Sequence, residues 1–181
     1  MRPNWPTGSY DVLSRNLVVA VCGLNPSVAA ATTGYNFGAA SNRFWRALHL
    51  AGFTPERLSA GEGRTLLKFG CGITAAIGRG TRTASELKRS DYRQIATAFE
   101  EKMAYYRPHT IAFLGKQAYG GMTGRRELEW GDQASSFAGA CVWLLPNPSG
   151  LNRAFTLDRL VAHYARLRAN VARELENYLS R

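Results

Sequence analysis

The 181-residue sequence is poor in cysteine, poorer in lysine than in arginine, and holds no long apolar run. Cys22, Cys71 and Cys141 stand far apart, each in an apolar or strand-like setting, with no Cys-x-x-Cys pair. That spacing argues against a zinc or iron–sulfur site and for buried, reduced thiols. His49, His109 and His163 are scattered and form no metal-ligand set. No stretch approaches the roughly 18 apolar residues of a membrane span, and the N-terminus does not read as a signal peptide, so a soluble cytoplasmic protein is expected. No Gly-x-Gly-x-x-Gly or Walker sequence follows the first apolar run, which disfavours a nucleotide-binding enzyme. Acidic residues are few, 13 against 23 basic, for a formal charge of +10. Only Lys68, Lys88, Lys102 and Lys116 are lysines, and the remaining cations are arginine. Arginine suits planar phosphates and bases, so the charge points to nucleic acid.

What is present reads as one α/β domain. The 45% hydrophobic content is enough to bury a core. Residues 1–15 are polar and proline-containing, as in a flexible or loosely docked arm, and residues 16–181 form the domain. Leu17 to Cys22 is continuously apolar, as expected of a strand buried on both faces, and is expected at the sheet centre. Residues 28–40 read as a small-residue loop, and a helix behind a Ser41/Asn42 cap carries Phe44, Trp45 and Leu48 inward. A short helix over 61–69 and a strand over 71–75 precede a basic, turn-rich surface loop at 78–90. A helix from Ser90–Asp91 to Tyr106, a strand over 110–114, a helix opening at Gly115, a polar turn region over 124–136 and a strand over 141–145 follow. The last helix, 156–179, keeps Leu157, Leu160, Tyr164, Leu167, Val171 and Leu175 near one face. Alternating strands and helices imply an open, mainly parallel sheet with helices on both faces.

Two stretches stand out, Gly23-Leu24-Asn25-Pro26-Ser27 and Pro146-Asn147-Pro148-Ser149-Gly150-Leu151-Asn152-Arg153. Each follows an apolar strand, and proline and glycine stop the strand in a stiff, exposed loop. One Asn-Pro-Ser is ordinarily a turn. Two at the carboxyl ends of parallel strands can face each other across one cleft, where such sheets bind ligands.

These two loops resemble the active-site motifs of the uracil-DNA glycosylase superfamily. Between them, Gly34-Tyr35-Asn36-Phe37, Asn42-Arg43-Phe44-Trp45, Leu114-Gly115-Lys116-Gln117-Ala118-Tyr119 and Trp130-Gly131 resemble, in order, the bacterial mismatch-specific G:U/T branch. The likeness runs from about residue 17 to 167. It implies a three-layer sandwich around a four-stranded, mainly parallel sheet, and removal of mispaired uracil from double-stranded DNA by a monomer with no metal or cofactor. Weaker action on thymine or ethenocytosine opposite guanine is part of that expectation. By resemblance, Asn25 positions the water and Asn147 stabilises the departing base. Gly23, Leu24, Pro26, Ser27 and Phe37 line the base pocket, Phe37 stacking on the base. Ser149, Gly150, Leu151, Asn152 and Arg153 form the wedge that fills the vacated stack and meets the widowed base.

The residue chemistry agrees. A base inside a duplex must be extruded before it reacts, and a mispaired one costs less to extrude. Leu151 can enter the stack while Gly150 permits close approach. Asn25 can orient water but is a poor base, so slow turnover is expected. Ser27 stands where this branch commonly carries glycine, and residues 78–90 match it poorly. Glu86 and Asp91, in or beside that segment, read as a solvated charge and a helix-terminal residue rather than as a substitute base. Lys116 lies outside both motifs, which disfavours a Schiff-base nucleophile. A mismatch-binding protein without catalysis is the rival reading.

Overall fold

In the computed structural model, residues 8, 10–77 and 89–180 are described, so the basic stretch 78–88, with Glu86, lies outside them. Five strands, β1 (Val19–Gly23), β2 (Cys71–Ala75), β3 (Thr110–Leu114), β4 (Gly131–Phe137) and β5 (Ala140–Leu145), form one sheet in the order β2-β1-β3-β5-β4. The first four positions run parallel, with Val21 opposite Ile73 and Ala112, and Ala112 opposite Trp143. The expected parallel core of four is thus present, with one antiparallel strand added at its edge. That strand occupies part of the region read as a polar turn. Gly-Asp-Gln-Ala-Ser-Ser-Phe has little strand propensity, but Ala138 (φ 52°) and Gly139 (φ 83°) close a tight hairpin that hands it to β5. The middle strand is β3, and β1 lies one place away from it.

Sheet residues alternate between two cores. Val19, Val21, Ile73, Ala112, Leu114 and Leu145 pack beneath α2 (Phe44–Leu50), a 3-10 helix (Ala60–Phe69) and two C-terminal helices. Ala20, Cys22, Ile111, Phe113, Val142 and Leu144 pack beneath α3 (Arg89–Tyr106) and α4 (Lys116–Thr123). Burying each large side chain contributes about 1.5–3 kcal/mol, which makes both helical layers stable only on the sheet.

Three local expectations change. Ser27 caps a six-residue helix, α1 (Val28–Thr33), inside the stretch read as loop, and Gly34 (φ 74°) ends it. The final helix is two, α5 (Leu157–Asn170) and α6 (Ala172–Leu179), broken at Val171. The apolar spacing continues through the break because Val171 and Leu175 are both buried, yet the bend lets Tyr178 donate its hydroxyl to the Leu67 carbonyl at 3.0 Å. Cys141 is exposed, at the second position of β5, whereas Cys22 and Cys71 are buried as expected.

The described part of the N-terminal arm is docked. Val12 and Ile73 exchange backbone hydrogen bonds at 2.8 and 2.9 Å along the outer side of β2. Asp11 receives Lys102 Nζ at 2.7 Å on each carboxylate oxygen and the Thr74 hydroxyl at 2.7 Å. Both charged side chains are about 95% buried, at 5% and 6% exposure. No described helix is long and apolar enough to cross a membrane.

Asp11→Ala leaves the Lys102 ammonium buried without a counter-charge and is expected to lower the unfolding free energy by about 3–5 kcal/mol. Chemical denaturation checks this, and a loss under about 1 kcal/mol would mean that the pair behaves as an exposed one. Burial pushes the Cys71 thiol up to about 12 and raises that of Cys22 as well, so both remain protonated near pH 8. A thiol reagent at that pH is therefore expected to label Cys141 alone in the folded chain and all three cysteines after unfolding.

Candidate active site

Both Asn-Pro-Ser loops leave the carboxyl edge of the sheet, and β3 lies between their strands. The β1 ladder continues past the strand, with Ala76 N–H on the Gly23 carbonyl and Ile77 N–H on the Leu24 carbonyl, both at 2.9 Å. Three residues later the Ser27 hydroxyl accepts the Ala30 N–H at 3.0 Å and starts α1. Asn25 and Pro26 are held between a ladder and a helix cap, with Pro26 buried and Asn25 exposed. No described residue hydrogen-bonds the Asn25 side chain, so its amide is available to the cleft. Ser27 spends its hydroxyl on the helix cap, a role that a glycine there would not fill.

The opposite loop is folded on itself. Asn147 Oδ1 accepts the Ser149 N–H at 2.9 Å, the Ser149 hydroxyl accepts the Leu151 N–H at 3.2 Å, and Asn152 Nδ2 donates to the Asn147 carbonyl at 2.9 Å. No described residue accepts a hydrogen bond from Asn147 Nδ2, which leaves its donors to the cleft. Leu151, at the apex, is 92% exposed.

The two loops enclose a cleft of about 750 Å³. Gly23, Leu24, Asn25, Pro26, Ser27 and Phe37 line it from one side, and Asn147 and Ser149 from the other. Gly150, Leu151, Asn152 and Arg153 do not line it; they belong to the loop that carries Asn147 and Ser149, and stand at its lip. Phe37 takes a left-handed conformation (φ 56°) and stacks on Phe44 with ring centroids 4.0 Å apart. One ring face is therefore core and the other is left to the cleft.

Several cleft residues carried no assigned role in the sequence. Asn36, only 6% exposed, donates Nδ2 to the Tyr10 carbonyl at 2.7 Å, and no described donor reaches its Oδ1. The N-terminal segment thereby orients a cleft amide. Lys116 and Gln117, after Gly115 (φ 91°) at the end of β3, close the third side. Lys116 Nζ sits 4.7 Å from the centre of the Trp130 ring, which packs edge-on against Phe155 and His163. Burial, with Arg166 and Arg159 nearby, holds His163 below the ordinary histidine range, so it is neutral at physiological pH. Among the described residues the cleft lining holds no carboxylate and no histidine, and Lys116 is its one charge. Asp91 lies in the first turn of α3. Among the described residues no group of three or more His, Cys, Asp or Glu could hold a metal ion.

Arg43, which opens α2, reaches across to the second loop. Its guanidinium donates to the carbonyls of Pro148 at 3.3 Å, Ser149 at 2.6 Å, Asn152 at 2.9 Å and Phe155, and its backbone N–H donates to Pro148 at 3.0 Å. These partners lie more than 100 residues away in sequence, beyond any local pattern.

The family model described as Uracil DNA glycosylase superfamily matches residues 10–170. Among solved structures, the chain is similar to the solution NMR structure of a candidate uracil DNA glycosylase from Methanosarcina acetivorans. The TM-score is 0.53 at 21% identity, over 92% of this chain and 95% of that one. At that identity the structural likeness concerns the fold.

A Cβ on residue 150 would fall 2.6 Å from Ser41 Cβ and 2.8 Å from the Ser41 carbonyl. Gly150→Ala is therefore expected to displace the 147–153 loop and cost about 1–3 kcal/mol in thermal unfolding. Adding Ser41→Gly should recover part of the loss, since the carbonyl contact persists. Unchanged stability in the single variant would show that the loop has slack.

Proposed function

The chain belongs to the uracil DNA glycosylase superfamily, and on that footing we propose that it is a monofunctional DNA glycosylase that extrudes mispaired uracil from duplex DNA and hydrolyses its N-glycosidic bond. The observation that carries this reading is the pairing of two asparagine amides, Asn25 and Asn147, on facing loops of one cleft, with Phe37 in its wall and Leu151 exposed at its lip.

The steps follow from those groups. Arginine-rich charge draws the protein to phosphate. Leu151 enters the stack as the uracil leaves it, and the cost, about a few kcal/mol, is lower for a mispair than for A:U. In the cleft the base lies on the free face of Phe37, and the unoccupied Asn36 Oδ1 is an acceptor suited to the uracil N3–H. Asn25 accepts a hydrogen bond from water and directs its lone pair at C1′. The C1′–N1 bond breaks with its electron pair going to uracil, where the Asn147 N–H donors meet the charge developing on O2. Water supplies hydroxyl to C1′ and, in the end, a proton to the base. With neutral amides in both roles, turnover is slow beside that of a site with a positioned carboxylate. The reading needs no cofactor, uses a monomer and places the protein in the compartment that holds the chromosome.

Single-turnover release from duplexes carrying G:U, A:U or G:T and from single-stranded uracil tests it. Uracil is expected to leave G:U fastest. Asn25→Ala should reduce the rate about 100-fold or more, the scale of one positioned polar group. Leu151→Ala should harm A:U more than G:U, because its pair resists extrusion more. Absence of release from every uracil substrate, with mismatch binding intact, would overturn the proposal in favour of a binding protein.

A further inference from the structure

We infer that the first turn of α2 is the rigid reference that sets the wedge against the base-holding wall, with Arg43 as the positioning residue for extrusion. This rests on the glycosylase reading above and assigns a residue that the two loop motifs do not contain. Two contacts carry it. Arg43 spreads its guanidinium over the carbonyls of Pro148, Ser149, Asn152 and Phe155, which bracket Leu151 on both sides. The next residue, Phe44, stacks on Phe37 at 4.0 Å. One helical turn thus grips both the loop that leaves the protein surface and the aromatic face that receives the base.

That turn is itself fixed. Phe44 is fully buried, and Trp45 and Leu48 are 6% and 2% exposed. Trp45 Nε1 donates to the Asn36 carbonyl at 3.1 Å, tying the turn to the residue before Phe37 as well. A wedge loop ordered in advance loses little conformational entropy when it enters DNA, whereas a loose one must be ordered during extrusion. No described carboxylate pairs with Arg43, so its cation is shared among carbonyl dipoles. Only a planar fork can do this, because lysine concentrates its donors on one nitrogen.

The test compares wild type, Arg43→Lys and Arg43→Ala; the lysine variant keeps charge and most of the stem should the alanine variant fail to fold. Amide hydrogen exchange reads the loop in the free protein. Fluorescence of 2-aminopurine placed beside uracil in a G:U duplex, with Asn25→Ala present to stop the chemistry, reads unstacking. Single-turnover uracil release is measured in chains that retain Asn25. The expected result for Arg43→Lys is at least tenfold faster exchange at Asn152 and Arg153 with β3 amides unchanged, a fluorescence rise cut at least fivefold, and uracil release slowed by a similar factor. Unchanged exchange in Arg43→Lys, or unchanged unstacking despite faster exchange, would overturn the positioning role. Failure of wild type to release uracil would instead overturn the glycosylase reading, and the exchange measurement would still decide whether Arg43 orders the loop.

Discussion

The parallel pairing of β1, β3 and β5 is the constraint on which the site depends. Adjacent strands lie about 4.8 Å apart, so β3 between the other two fixes the roots of the Asn-Pro-Ser loops at about 10 Å. Because β1 hands the chain outward to β2 and β2 returns it to β3 on the other side, the loops after β1 and β3 diverge at the carboxyl edge. A cleft opens there by topology alone. Gly115, in a conformation that side chains resist, then turns the β3 exit away and leaves Lys116 and Gln117 at the cleft margin.

Around this frame, buried polar contacts run toward the cleft. The Asp11–Lys102 pair anchors the N-terminal segment and holds the Thr74 hydroxyl, and Thr74 borders the cleft. One residue earlier, the Tyr10 carbonyl orients Asn36. A segment that pairs with β2 by a single bridge therefore reaches the site through an ion pair and one amide. Such a pair is a weak source of net stability, yet removing either partner is costly because it leaves a buried charge.

The chemistry is correspondingly spare. Neutral amides face one another, an aromatic plane supplies stacking, and the single described cation on the lining is drawn to the Trp130 face. A site of this kind accelerates a reaction by orientation and by dipoles aimed where charge develops, rather than by proton transfer. The 147–152 loop and the α2 turn beside this cleft are held by hydrogen bonds to backbone carbonyls and amides.

Much of this was legible in the residues themselves. The apolar runs of β1, β3 and β5 announced buried strands, and proline with glycine after two of them announced the loops that now face each other across the cleft, because those signals are local. The short α1, the polar β4 and the break at Val171 were not legible: each depends on what lies beside it, a serine cap, a hairpin partner, or a 3-10 helix waiting for Tyr178. The contribution of Arg43 was hidden for the same reason, since its carbonyl partners lie more than 100 residues downstream. The sequence by itself determined the buried strands and the two loops that leave them; the tertiary structure decided how firmly those loops are held and from where, because hydrogen bonds between distant segments leave no periodic trace in either one.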